Sequence, residues 1–304
     1  MSNATINGRR ALTLSTRARD RVQVGRLGPS RLRIALSYAV LVPVTILFVS
    51  PIIYMFIASF KPNNEVLSGF AVFSPQDLSL NNYLSIFSRF SGPDTGTFTG
   101  FLTTSLLVSS VTVVGGLAVN SIAAYALARL RWPGRNLLLL GVIALVIVPF
   151  EAIAVPLFYM LDGLRNTYLV QFLPFIASPF SIYLFYSFFA GLPKSLEEAA
   201  RVDGAGAWRT FFFIMLPNAK PAFATVAILQ FMSSWSSFLW PVMVIDDPTV
   251  RPLPLAISVY VGTPPYGWGN IMAFGVMMVL PMLVVFLIFQ RWFIRSVVAS
   301  GVKG

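Results

Sequence analysis

The 304-residue sequence contains no cysteine and no histidine, and only 11% of its residues are charged. These absences exclude a disulfide framework, a thiol nucleophile, thiolate or imidazole metal ligands and a Ser-His-Asp triad. The sequence also lacks the G-x-x-x-x-G-K-S/T loop that cradles nucleotide phosphates. We therefore expect no catalytic residue, no metal site and no cofactor in this chain. If the protein depends on ATP, another chain hydrolyses it.

Long apolar runs dominate what is present. Hydrophobic residues make up 56% of the chain, and a helix needs roughly 20 mostly apolar residues to cross about 30 Å of hydrocarbon. Six runs are long enough, which predicts an all-α membrane protein with six transmembrane helices. The predicted spans are residues 34–60, 101–128, 136–160, 168–192, 222–245 and 271–294.

The charged residues are unevenly distributed, and the formal net charge is +11. Eighteen of the 22 Lys and Arg residues lie before the first span, between spans two and three, between spans four and five, or at the end of span six and after it. The remaining connections hold Lys61, Arg89, Arg165 and Arg251. Because basic loops stay in the cytoplasm, both termini are predicted to be cytoplasmic. The basic excess indicates membrane topology, so we expect contact with a lipid bilayer and not with nucleic acid.

Composition also divides the chain. Residues 1–33 are polar, rich in arginine and poor in large apolar side chains, which predicts a disordered cytoplasmic tail. Residues 34–304 are predicted to form one six-helix membrane domain, with its core at about residues 98–294. The connection 246–270 is rich in proline, glycine and aromatic residues, which favours a packed, irregular loop.

The cytoplasmic connection 193–217, called the coupling loop below, has the pattern of two short helices around a glycine break. Ser195 and Glu198 have the spacing of a capping box, and Gly204 can adopt the left-handed conformation that ends a helix. A second helix is predicted from Ala207 to Met215. Helices this short are marginal in water, so the first of the two, which begins near Ser195, needs a supporting surface. Local physics leaves two alternatives open, a polar surface of another protein or the protein's own spans.

This loop resembles the EAA signature of the membrane subunits of binding-protein-dependent ABC importers. The matching positions are Glu198, Ala199, Ala200, Gly204, Ile214, Leu216 and Pro217. Supporting similarities to carbohydrate-type permeases related to MalG are Asn120-Ser121, the run from Ala123 to Arg129, and Trp235. The resemblance covers residue 34 to the C-terminus.

The resemblance implies a type I ABC importer permease fold in a prokaryotic cytoplasmic (inner) membrane. In this fold the residues from Glu198 to Gly204, which include Asp203, would form a coupling helix seated in a groove of an ATPase subunit. The implied partners are a second homologous permease subunit, an ABC ATPase dimer and an extracytoplasmic solute-binding protein. The implied cargo is a carbohydrate or a related solute.

Glu151 is the one acidic residue inside a predicted span. A carboxylate at that depth costs about 2 to 3 kcal/mol, so we expect it to face a solute pathway or an interface with another helix or subunit. Pro149 and Pro156 each remove a helix hydrogen bond beside it. Gln230 and Trp235 in span five are weaker pathway candidates, because serine-rich and aromatic segments also serve helix packing.

The small residues of span two share one helix face, which predicts a helix-packing seam. They are Ser105, Ser109, Thr112 and Gly116.

Two other functional classes are alternatives to the importer subunit. A proton-coupled secondary transporter would use Glu151 as its titrating carboxylate. A membrane-embedded enzyme fits poorly, because the sequence offers neither the usual N and S metal ligands nor a pair of acids within a span.

Overall fold

A computed structural model describes residues 31–265 and 267–301. The predicted N-terminal tail lies outside this part of the chain except for its last three residues, which already belong to the first helix. The chain forms two compact units that divide between Ile53 and Tyr54. Within the described residues the first unit is the leading part of one helix, and the features below lie in the second.

The fold is almost entirely helical. The α-helices are α1 (Arg31–Ala58), α2 (Asn81–Arg89), α3 (Phe98–Arg129), α4 (Arg135–Ile147), α5 (Phe150–Met160), α6 (Tyr168–Ile176), α7 (Pro179–Gly191), α8 (Ser195–Val202), α9 (Ala207–Thr210), α10 (Leu216–Asn218), α11 (Lys220–Trp235), α12 (Leu239–Val244), α13 (Leu253–Gly262) and α14 (Trp268–Gly301). Short 3-10 turns occupy Gly69–Phe73, Asp162–Leu164 and Pro248–Val250, a π-helical turn occupies Phe211–Met215, and a two-stranded hairpin joins β1 (Ser91–Gly92) to β2 (Gly96–Thr97).

Four of the predicted spans correspond to helices long and apolar enough to cross a membrane. Within the described residues these are Ile34–Ala58, Phe98–Arg129, Tyr168–Gly191 and Trp268–Gln290, and the number rises to six only if two bent helix pairs each count as one span. The predicted limits of these four lie within a few residues of the observed ones.

The third predicted span is a broken helix. It consists of α4 and α5, whose axes differ by 104°. The break falls at Val148 and Pro149, both of which have extended backbone. A residue before proline is driven out of the helical region, and proline has no N–H for a helix bond. Pro149 therefore ends one helix and starts the next, so residues 136–160 form a bent pair of helices, a break that the proline in the sequence indicated.

The prediction for span five also needs correction. The helix α11 ends at Trp235, well before residue 245, and three residues separate it from α12. Helix α11 forms a bent pair with the preceding segment Ala207–Asn218, which includes the second part of the coupling loop, and the angle between them is 78°. Hydropathy alone did not show that α11 pairs with this segment and not with α12.

Two connections contain more regular structure than was predicted. The segment 246–270 includes α13, a ten-residue apolar helix in place of the irregular loop that composition favoured. Its Leu253, Ala256 and Tyr260 are buried in the main hydrophobic cluster. The earlier segment 61–100 contains α2 and the hairpin. Both helices are too short for a sequence rule based on membrane thickness to find.

Asn120 stabilises the interruption between α6 and α7. Its Nδ2 donates to the carbonyl of Ile176 at 3.0 Å, and its Oδ1 accepts from the N–H of Ser178 at 2.9 Å. The Ser178 hydroxyl in turn accepts from the N–H of Ser181 as the N-cap of α7. Free backbone groups are costly inside a bilayer, and this side chain of α3 satisfies two of them.

Helix α3 is the central element, and it packs against α6, α7 and α11. Its 32 residues extend about 48 Å at 1.5 Å per residue. The N-terminal end lies beside Pro248–Val250, and the C-terminal end lies beside the coupling loop. We call the segments 61–97, 161–167 and 246–267 the distal connections, because α3 separates their end of the protein from the coupling loop.

The small-residue face of α3 is a packing seam, as predicted. Ser105, Ser109, Thr112 and Gly116 are all buried, and the Ser105 hydroxyl accepts the N–H of Leu253 at 2.7 Å. The closest approach in this seam is at Gly116. A Cβ added there would lie 2.0 Å from Nε2 of Gln230 on α11.

The seam predicts that Gly116→Ala destabilises the protein by about 1–3 kcal/mol, since the new methyl displaces a buried carboxamide. Gln230→Ala should relieve part of this cost, so the double variant is more stable than the sum of the two single variants. Thermal unfolding of purified protein in detergent measures both effects. Gly141→Ala is the control, because a Cβ at Gly141 meets open space. Additive effects at positions 116 and 230 would contradict the predicted contact.

Candidate functional site

The first helix of the coupling loop is α8, eight residues long and immediately preceded by Lys194. Lys194 already has helical backbone angles, and its side chain forms no capping hydrogen bond. Ser195 therefore lies inside the first turn and not at the N-cap, so the predicted capping box with Glu198 is not formed. The carbonyl of Lys194 instead accepts the N–H groups of Glu197 and Glu198, at 3.0 and 3.1 Å.

Gly204 ends α8 as the sequence predicted. Its φ is +73°, in the left-handed region that favours glycine. The N–H of Ala205 donates to the carbonyl of Ala200 at 2.8 Å, and the N–H of Gly204 donates to that of Arg201 at 3.0 Å. This pair of bonds is the Schellman motif. A Cβ at Gly204 would meet no atom within 4 Å, so the requirement for glycine comes from the backbone angle alone.

The second part of the loop differs from the predicted helix 207–215. One α-helical turn, α9, is followed by a π-helical turn in which the N–H of Leu216 donates to the carbonyl of Phe211. Proline at 217 has no N–H for a normal helix bond, and its ring would crowd the carbonyl of Phe213. The wider turn accommodates it. The helical segment therefore continues into α10, which contains Pro217, and it is broken only at Ala219.

The motif residues divide between a packed and an exposed side of the loop. Ala200 is buried, and Ile214 and Leu216 are half-buried. The exposed motif residues are Glu198, Ala199, Asp203, Gly204 and Pro217. The loop thus rests on its own protein through one side and presents the other side outward, which combines the two alternatives that the sequence left open.

The outward side also carries large apolar side chains. Val202 is 88% exposed, Phe213 76% and Trp208 63%. The Trp208 ring stacks on Phe212 with centroids 6.1 Å apart. An exposed apolar patch rimmed by charged residues is typical of a protein interaction surface.

A buried arginine that the sequence reading missed holds α8 in place. The guanidinium of Arg129, at the end of α3, donates through Nε to the carbonyl of Phe189 at 2.9 Å and through Nη2 to that of Leu192 at 2.6 Å. Its Nε lies 3.6 Å from Oε1 of Glu197 on α8, and the two side chains are only 5% and 13% exposed. The distance defines an ion pair without a hydrogen bond. One side chain thus joins α3, the end of α7 and α8.

The sequence contained a signal for this contact. Arg129 closes the run from Ala123 that supports the family resemblance, and Glu197 directly precedes the motif residue Glu198. Their meeting depends on how α7 returns to the end of α3, which hydropathy does not encode.

The three pathway candidates lie in different environments. Glu151 is exposed in the first turn of α5, directly after the Pro149 break. Gln230 is buried, and its Nε2 donates to the carbonyl of Phe175 at 3.4 Å. Trp235 is buried, stacks on Phe231, and donates through Nε1 to the carbonyl of Met278 at 3.0 Å. The structure does not bring the three together, and only Glu151 faces outward.

Comparison with known proteins identifies this architecture. Residues 116–299 match the family described as the binding-protein-dependent transport system inner membrane component. The arabinooligosaccharides transport system permease protein AraQ of Halalkalibacterium halodurans is 36% identical over 84% of this chain and 91% of its own length. The diacetylchitobiose uptake system permease protein NgcG of Streptomyces coelicolor is 35% identical over 86% and 87%.

A solved structure supports the fold. It is a bacterial ABC transporter involved in the import of the acidic polysaccharide alginate, with a TM-score of 0.74 at 23% identity over 86% of this chain and 97% of that one. The fold is therefore that of an ABC importer permease. The chain belongs to the family of binding-protein-dependent transport system inner membrane components, as a non-catalytic permease subunit whose ATPase is a separate subunit.

Proposed function

We propose that this permease imports a carbohydrate or related solute, delivered by an extracytoplasmic binding protein and driven by ATP. The observation that carries the proposal is the coupling loop, an outward-facing helix with an exposed apolar patch that is anchored to the membrane helices through Arg129. The carbohydrate class is supported by the relatives named for arabinooligosaccharides and diacetylchitobiose.

In the proposed complex the residues from Glu198 to Gly204 dock in a groove of the ATPase subunit. The exposed Val202 and Trp208 supply apolar contact area, and Glu198 and Asp203 supply charge around it. The ATPase can drive a change of shape only if it binds two permease conformations with different affinities. The Arg129 anchor then passes movement of α8 directly to α3 and α7.

The proposed orientation places both termini and the coupling loop in the cytoplasm of a prokaryotic cell, with the protein in the inner membrane. The distribution of basic residues supports it. On this orientation the distal connections face the binding protein. We further propose a second, homologous permease subunit as the other half of the pathway. Glu151 supports this pairing, because a carboxylate exposed at membrane depth needs water or another protein beside it.

The docking proposal predicts that Glu198→Lys lowers solute uptake at least about tenfold, since it reverses a charge at the interface. Gly204→Val should have a similar effect, because valine at positive φ is strongly disfavoured. Both variants are expected to insert normally. Uptake in cells and co-purification of the ATPase measure the outcome. Gly206→Val is the control, because Gly206 has φ −73° and equally open space. Normal uptake by both variants would refute the docking role.

The anchor predicts that Arg129→Met uncouples ATP hydrolysis from transport. This change leaves Glu197 unpaired in a largely buried site, which costs about 3–5 kcal/mol. Arg129→Lys keeps the charge but cannot reach the two carbonyls with a planar fork, and Glu197→Gln keeps those carbonyl bonds. We expect the solute transported per ATP to fall most in the Met variant and less in the other two. An unchanged ratio in all three variants would show that the anchor carries no movement.

A test on Glu151 separates the proposal from the proton-coupled alternative. With ATP maintained and the proton gradient collapsed, uptake should continue, and Glu151→Gln should retain uptake within about tenfold of wild type because a neutral amide still suits a hydrated pathway. The alternative requires a titrating carboxylate and predicts that either treatment abolishes uptake. Transport assays in inverted or right-side-out vesicles distinguish the two. The family assignment gives the alternative no support.

A further inference from the structure

Four basic residues lie on the distal connections, and two of them have clear acidic partners. Lys61 is fully buried, donates to the carbonyl of Gln76 at 2.6 Å, and lies 3.4 Å from a carboxylate oxygen of Glu65. Arg165 contacts the Asp246 carboxylate at 2.7 Å. Each of these charges is therefore compensated within the chain.

Arg251 forms no ion pair among the described residues, but two nearby carboxylates act on its charge. Burial lowers the pKa of its guanidinium, and the negative charges of Asp247 and Asp246 oppose that shift. Its Nη2 also donates to the carbonyl of Asp246 at 2.8 Å. Arg89 also forms no ion pair in the part of the chain that the structure describes, and the groups that accept its hydrogen bonds there are all uncharged.

Among the described residues, the hydrogen bonds and the ring contact of the Arg89 side chain are all with uncharged groups. Nη1 donates to the carbonyl of Pro265 at 2.7 Å, and Nη2 donates to the carbonyl and, at 3.2 Å, to the hydroxyl of Thr263. The guanidinium carbon lies 4.9 Å from the centre of the Tyr260 ring. These contacts fix the direction of the guanidinium. They leave its positive charge without an anion, and a guanidinium has five N–H donors.

This charge lines an open recess of about 370 Å³. Two other polar side chains that line the recess, Asn63 and Asn270, form hydrogen bonds within the protein. Oδ1 of Asn63 accepts the N–H of Gly269 at 2.8 Å, and Nδ2 of Asn270 donates to Ser85 at 2.7 Å and to the Tyr260 hydroxyl at 2.8 Å. The recess is thus a preformed, polar and electropositive depression, built by the segment 61–97 and the residues that follow α13.

We infer that this recess receives a carboxylate side chain, aspartate or glutamate, of the extracytoplasmic binding protein. The inference rests on the proposed function, which places the distal connections on the side of that protein. A neutral sugar would leave the guanidinium uncompensated, whereas a carboxylate forms a charge-assisted and often bidentate pair with arginine. Such pairs across an interface speed association and fix the register of the partners.

The experiment uses the full complex of both permease subunits and the ATPase, reconstituted in proteoliposomes with the binding protein loaded with a neutral sugar. ATPase activity is titrated with the loaded binding protein at low and high salt. We expect Arg89→Gln to raise the half-activating concentration about five- to tenfold and to weaken its salt dependence. Arg89→Lys keeps the charge and should stay within about twofold of wild type.

Arg165→Gln is the matched control, since it removes the same charge from the distal connections at a site whose arginine is already paired. It should leave the half-activating concentration within about twofold of wild type. Three results would overturn the inference. They are equal shifts in the Gln and Lys variants, which would reduce Arg89 to a support for the loop at Thr263, no shift in either, or a shift that requires an acidic solute. If the wild-type complex itself does not respond to the binding protein, the proposed function fails instead.

Discussion

The end of the protein that carries the coupling loop depends on the contacts of the buried Arg129 guanidinium. A charge that is 5% exposed is costly unless it is paired and hydrogen-bonded. Here the carbonyls of Phe189 and Leu192 and the carboxylate of Glu197 together meet that requirement. Because these groups belong to α7, its C-terminal connection and α8, none of those elements can shift alone without exposing a buried charge. Helix α8 is consequently held against α3 and α7 and is not an appendage on a loop.

Three irregularities of the helices described above lie at or next to proline residues, and each has its own solution. At Val148 and Pro149 the backbone extends and the chain turns by 104°. Between α6 and α7 the Asn120 side chain satisfies the freed backbone groups. At Pro217 the helix widens by one residue and continues. Interrupted helices are tolerated in a membrane only where protein or water supplies the missing hydrogen bonds, and two of these three solutions use groups of this chain itself.

What the sequence predicted correctly depended on local chemistry or on composition. Gly204 was identified from the rarity of left-handed residues, the seam around Gly116 from the spacing of small residues, and four spans from apolar length. The misses depended on tertiary geometry. The sequence marked the break at Pro149 but not its 104° angle, and α13 is too short for a rule based on membrane thickness. Arg129 and Glu197 lie 68 residues apart in the sequence, and their pairing follows only once α7 has returned to the end of α3. The predicted capping box failed because α8 starts one residue earlier than the box requires.

The bend at Pro149 also has a consequence for how the protein enters the membrane. Helix α4 has 13 residues, so it is about 20 Å long, well short of the roughly 30 Å of a bilayer core. Helix α5 is shorter still. Neither is stable in lipid as an independent rod, and their neighbours α7 and α12 lie later in the chain. The packing of this pair against α7 and α12 can therefore be complete only after those later helices have been synthesised.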